Sequence, residues 1–173
     1  MADVVKITKD DYTIGFDTNK LEKIKACCGF IESEFSFGDD SDLPKELIVQ
    51  NSTFGAPATK DCFDYLSHHD YKPPSYGKII SKNVEDHFSH PFDLDLARRY
   101  PTNQTIIRLR SAAKYFQISS LMAFCNVMIG LSIWIDATEV DGLKEVMKRH
   151  GITAEYNIRV EKDLKEKHPF LNF

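Results

Sequence analysis

Histidines, cysteines and acidic residues are the side chains from which this sequence could build chemistry, and their spacing decides what each group can do. His68 and His69 adjoin one another, and His87 and His90 follow about twenty residues later. Imidazole nitrogens are good zinc ligands, but this region is loop-rich and supplies neither a cysteine nor a rigid i, i+4 pair. The expectation is exposed side chains and no metal. Asp39-Asp40-Ser41-Asp42 is oxygen-rich, yet it lacks the further ligands and turn glycine of a calcium loop, so a solvated loop is expected. Cys27-Cys28 could exchange electrons only with a depressed thiol pKa, and no clear cationic neighbourhood supplies one. Cys62 and Cys125 also fall within apolar helical patterns. All four cysteines read as reduced core thiols, which points to the cytoplasm or nucleus.

No glycine-rich phosphate loop, G-x-S-x-G elbow, H-E-x-x-H or repeated C-x-x-C occurs in the 173 residues. No nucleophile is nominated, no cofactor is implied, and an enzyme is not expected. A net charge of -4 gives no general attraction to nucleic acid or anionic membrane. The opening residues include Asp3 and Lys6 and lack the apolar core of a signal peptide. Leu121 to Ile135, the longest apolar run, contains Asn126 and Ser132 and falls short of the ~20 residues that a membrane helix needs. These features fit a soluble chain whose partner is a protein or a small ligand.

The elements that would position a protein-binding surface centre on residues 106 to 129. Ile106, Leu109, Ala112, Ala113 and Phe116 recur at three- and four-residue steps, the stripe of an amphipathic helix, while Arg108, Arg110 and Lys114 keep its other face wet. Gln117 to Ser120 interrupts the stripe, and Ser119 or Ser120 can cap a second helix from Leu121. A helical hairpin at the centre of one domain is expected. Before it, Val5 to Phe16 alternates like a hairpin of two strands turning at Lys9-Asp10-Asp11. Asp17 or Thr18 can cap a helix carrying Leu21, Ile24 and Cys28, with Gly29 as a left-handed stop. Phe30 to Phe37 fits strand or helix, and Leu47-Ile48-Val49 reads as a short buried strand. Pro57 suits the first turn of a helix that turns Ala58, Cys62, Phe63 and Leu66 inward and ends at His68-His69-Asp70.

Residues 71 to 104, with Lys72-Pro73-Pro74-Ser75-Tyr76-Gly77, read as linker. Asp136 to Thr138 is expected to cap a helix through Leu143, Val146 and Met147, stopped at Gly151 with Ile152 folding back. A last helix carries Tyr156, Val160 and Leu164 at four-residue steps among many charges. Its narrow stripe either docks on its own domain or meets a partner.

The order strand, strand, helix, strand, helix, followed by Ala112-Ala113-x-Tyr115-Phe116-x-Ile118-x-x-Leu121, resembles the α+β BTB/POZ fold. Within that fold it resembles the S-phase kinase-associated adaptor family, which links cullin scaffolds to F-box proteins in SCF ubiquitin ligases. Leu66-Ser67-His68-His69 before Lys72-Pro73-Pro74 looks like that family's helix end and proline-rich loop. Residues 150 to 170 lie on its C-terminal pattern without a gap.

The resemblance implies a BTB/POZ N-terminal half over 1–70, a variable linker over 71–104, the helical hairpin over 105–135, and helices for F-box binding or dimerisation over 136–173. It places Lys114 and Tyr115 on the cullin-facing surface, and Val146, Ile152, Tyr156, Val160, Leu164 and Phe170 on the F-box-facing one. Lys114 stands where the family usually has asparagine, changing charge and hydrogen bonding, so weak cullin binding is expected. Phe170 replaces a terminal tryptophan and loses the indole donor. The alternative is a structural or assembly protein of the same fold that self-associates and does not bind cullin. An Elongin-C-like adaptor is disfavoured, because those chains lack the two C-terminal helices.

Overall fold

The computed structural model of the protein describes residues 4–35 and 46–139. Among them lie three strands and six helices in a mixed α+β arrangement: β1 (Val4–Lys9), β2 (Tyr12–Asp17), α1 (Thr18–Lys25), α2 (Gly29–Phe35), β3 (Glu46–Ile48), α3 (Ala56–His68), α4 (Pro91–Arg99), α5 (Asn103–Tyr115) and α6 (Ser119–Glu139). No helix among these residues is long and apolar enough to cross a membrane. The acidic run at 39–42 and the helices expected after residue 140 lie outside the described residues.

The sheet has the order β2-β1-β3, with β1 antiparallel to β2 and parallel to β3. Ile7 pairs with Ile14, and Phe16 stands two residues further along β2, so Ile7, Ile14 and Phe16 share one face. Phe16 carries that face onto α3, its ring 5.2 Å from Phe63. On the opposite face Thr8 and Thr13 bring their hydroxyl oxygens within 3.1 Å. Asp10 turns the hairpin at φ 54°, a left-handed conformation that aspartate tolerates. Its carboxylate accepts from the buried Lys9 ammonium at 2.7 Å and from the Ala56 amide at 3.3 Å, which ties the turn to the start of α3. The Lys9 hydrogen bond holds the Asp10 carboxyl below its usual range. β3 is not the buried strand expected: Ile48 points out of the sheet, 67% exposed, and only Val49 after it is buried.

α3 starts with proline in its first turn and buries Ala58, Cys62, Phe63 and Leu66, as its spacing predicts. Gly29 does not stop α1. It opens α2 at a negative or extended φ, and the ambiguous Phe30 segment is helical. Similarly, Asp136 to Thr138 does not cap a new helix, because α6 runs through to Glu139.

The 71–104 segment is more than a linker. It contains a single 3-10 turn at Val84–Asp86 and helix α4, and it is packed down along its length. Phe88 is buried with its ring 4.5 Å from Phe124 of α6, and Tyr76 sits edge-on to both. Ile79 lies against Gly130, where a Cβ would run into its side chain. At the far end of α4, the buried Asp61 of α3 accepts from Arg99 and, at 2.6 Å, from the Tyr100 hydroxyl. Burial and this hydrogen bond push the Tyr100 phenol far up.

Candidate functional site

The α5–α6 corner is built from short-range pattern and closed by long-range contact. α5 begins with a capping box in which Thr102 and Thr105 each accept the other's backbone amide. Its stripe buries Ile106, Leu109, Ala112 and Ala113, leaving Arg108, Arg110 and Lys114 exposed as expected. After Tyr115 the helix stops in a Schellman-type turn: the Ile118 amide donates to the Ala113 carbonyl at 2.9 Å, and Gln117 takes φ 55°. A non-glycine residue in that conformation is strained, and here the surrounding contacts hold it.

Those contacts come from α2. The first amides of a helix have no partners within it. In α2 the Phe30 amide donates to the Phe116 carbonyl at 3.2 Å and the Gly29 amide to the Gln117 carbonyl at 3.5 Å. The Cys28 thiol donates to Phe116 O as well, at 3.2 Å. A Cβ on Gly29 would lie 2.6 Å from Gln117 Oε1 and 3.0 Å from Gln117 Cβ, so the glycine is what lets the helix end reach the corner.

Tyr115 is half-buried, its ring 5.2 Å from Phe30 and from Phe116 and 5.5 Å from Phe54. Phe116 is fully buried beneath it and meets Phe63 edge-on at 4.9 Å. Lys114 is exposed in the last turn of α5, where an ammonium is favourable to the helix dipole. The corner thus presents an aromatic edge beside a solvated cation, on a base fixed by three aromatic neighbours. Phe30, Phe54 and Gly29 were not legible as parts of it, because they are distant in sequence and follow no shared period. The six residues expected to face an F-box protein, Val146, Ile152, Tyr156, Val160, Leu164 and Phe170, lie outside the described residues.

No family model matches this chain. No curated protein matches it either.

Two other features bear on chemistry. A cleft of about 490 Å³ opens between α4, α5 and the C-terminal half of α6, floored by Leu94, Ala97, Ile106, Met128, Leu131 and Ile135. The thiols are free, and burial pushes Cys27 up to about 11 and Cys28 and Cys125 to about 12, with buried Cys62 also well raised. Thiols so protonated are poor nucleophiles, in keeping with packing residues.

The histidines differ from one another. His68 is exposed and stacks on Phe92, whereas the His69 side chain is only 7% exposed and His90 is half-buried, their rings 4.4 Å apart. His69 is therefore not the exposed side chain expected. Its Nε2 lies 2.8 Å from Oδ1 of Asp93, a carboxylate 1% exposed, and the Tyr76 hydroxyl donates to Oδ2 at 2.9 Å. With its one hydroxyl proton so used, Tyr76 accepts from Tyr65 at 3.0 Å. Burial pushes the Tyr65 phenol up to about 12.

Proposed function

We propose that this chain is a non-catalytic adaptor, a diverged BTB/POZ protein of the S-phase kinase-associated family that joins F-box proteins to a cullin. The observation that carries the reading is the α5–α6 corner. Tyr115 is anchored among Phe30, Phe54 and Phe116 yet half-emergent beside exposed Lys114, a pre-ordered knob of the kind that serves as an interface anchor. The opening β1-β2-α1, the later β3 and α3 and the α5–α6 corner support the resemblance, while helix α2 before β3 departs from the order it implies. The apolar cleft beside α6 lies close to where the chain enters residues 140–173, the stretch proposed to face the F-box protein. Affinity would then rest on a few apolar anchors, with charges such as Lys114 setting the choice of cullin.

A second reading is an assembly protein of the same fold that self-associates without a cullin. Ile48 favours it, since it lies 67% exposed on β3, which among the described residues is an edge strand.

Affinity purification of the tagged full chain followed by mass spectrometry tests both. F-box proteins together with a cullin support the adaptor. F-box proteins alone leave an assembly role, and recovery of neither, with a dimer by light scattering, supports self-association.

A further inference from the structure

We propose that His69, His90 and Asp93 bind a divalent transition-metal ion of the Zn2+ class. One ligand atom from each lies within 4.8 Å of the others, the one such grouping among the described residues. Two imidazoles and a carboxylate form a nitrogen-rich set that suits zinc and its neighbours better than magnesium or calcium, which prefer oxygen alone. The three stand on well-fixed backbone: His69 is the C-terminal cap of α3, His90 the N-terminal cap of α4, and Asp93 lies in the first turn of α4. The carboxylate is sealed from water, while His90 reaches the surface and leaves a path of entry. Three protein ligands leave a fourth position for water or a partner's side chain.

The metal-free geometry shows what binding must change. His69 Nε2 and Asp93 Oδ1 are 2.8 Å apart, the separation of a hydrogen bond. Around a tetrahedral zinc with bonds of about 2.0–2.1 Å, ligand atoms stand roughly 3.3 Å apart, so this pair opens by about half an ångström. His69 gives up its Nε2 proton to solvent and takes one at Nδ1, so the ring stays neutral, and the ion occupies the vacated position. His90 gives up a contact as well. Its Nδ1 accepts from the Phe92 amide at 3.2 Å, capping α4. A neutral ring that ligates through one nitrogen carries its proton on the other, so neither nitrogen can hold the ion and keep that cap bond. The ion would exchange a helix cap for a clamp that fastens the end of α3 to the start of α4, closing residues 70–89 into a loop.

Two substitutions separate ligation from folding. In His90→Asn the amide oxygen can still accept from Phe92, since asparagine is a good N-cap. In His69→Gln the side-chain amide can still donate to Asp93, and both variants lose an imidazole. The chelator-stripped full chain would be titrated calorimetrically with ZnCl2 in millimolar MgCl2, and with Co2+ as an optical probe. The expected result is one ion per chain, binding at least about tenfold weaker in each variant. Zn2+ should raise the melting temperature of the wild type by more than that of either variant. The Co2+ spectrum should show ligand-field bands without thiolate charge transfer. Variants that bind as well as the wild type, a thiolate band, or no binding by the wild type would each overturn the site. Should a variant fail to fold, the wild-type Co2+ spectrum and stoichiometry still decide.

Discussion

If α2 reaches the corner only because residue 29 lacks a side chain, then Gly29→Ala and Gln117→Gly must be coupled. Alanine at 29 places a Cβ 3.0 Å from Gln117 Cβ and 2.6 Å from Oε1. The amide end of Gln117 is exposed and can swing away, but its Cβ moves only with the strained backbone that carries it. That sets the clash at the lower end of the overpacking range, about 1 kcal/mol. Against it stands a gain of about 0.5–1 kcal/mol, because alanine restricts the unfolded chain where φ is compatible. Gly29→Ala alone should therefore be close to neutral or slightly destabilising. Gln117→Gly alone should also be close to neutral, since relief of the left-handed strain is offset by glycine's entropy. In the double variant the clash has no second atom, and only alanine's gain remains. Urea denaturation of the four proteins should give a coupling energy of about 1 kcal/mol, with the double variant more stable than Gly29→Ala alone. Additivity to within about 0.5 kcal/mol would refute the close approach.

Phe116→Ala removes the ring shared by Phe30, Phe54, Phe63 and Tyr115 and should cost about 3–5 kcal/mol in chemical denaturation; a loss below about 1 kcal/mol would deny its central place. Stability should fall as pH rises above the ordinary thiol value near 9, because the unfolded thiols ionise there while folded Cys27, Cys28 and Cys125 hold their protons to about 11–12. Urea midpoints at pH 8 and pH 10 check this, and an unchanged midpoint would contradict it. Lys114→Asn should leave stability within about 0.5 kcal/mol, since the side chain is exposed. It should strengthen cullin binding by roughly 1–3 kcal/mol through removal of an ammonium to be desolvated; calorimetry with a cullin N-terminal region decides, and tight wild-type binding that the substitution weakens would show Lys114 matched by a partner acid.

The hairpin was legible because α5 repeats its apolar residues over three turns, and α3 because Pro57 and its inward residues mark both start and face. α4 was not. Its buried positions are Leu96, Ala97 and the carboxylate of Asp93, too few apolar residues to form a period. The readable signal was the punctuation, His90 as cap, Pro91 in the first turn and Arg98-Arg99 in the last. Gly29 was misread for a related reason: a glycine between two apolar helices marks a stop or a close approach equally well, and only the Gln117 contact separates the two. Of the candidate corner, Lys114 and Tyr115 could be named in advance, but the α2 amides and the Phe30 and Phe54 rings that hold it depend on tertiary contact.

Among the described strands, the middle one of the sheet comes first in sequence. β1 pairs with β2 almost at once, through a turn at Asp10, but its other neighbour β3 begins only at Glu46. During synthesis the opening hairpin can form early, yet one edge of β1 must wait about forty residues for its parallel partner, through the whole of α1 and α2. For that interval Lys6, Ile7 and Thr8, later matched to Glu46, Leu47 and Ile48, offer an unpaired edge to any other strand nearby. A nascent chain stalled before residue 46 would carry a hairpin with one open side, and loss of β1 would deprive β2 and β3 of the strand that both pair with.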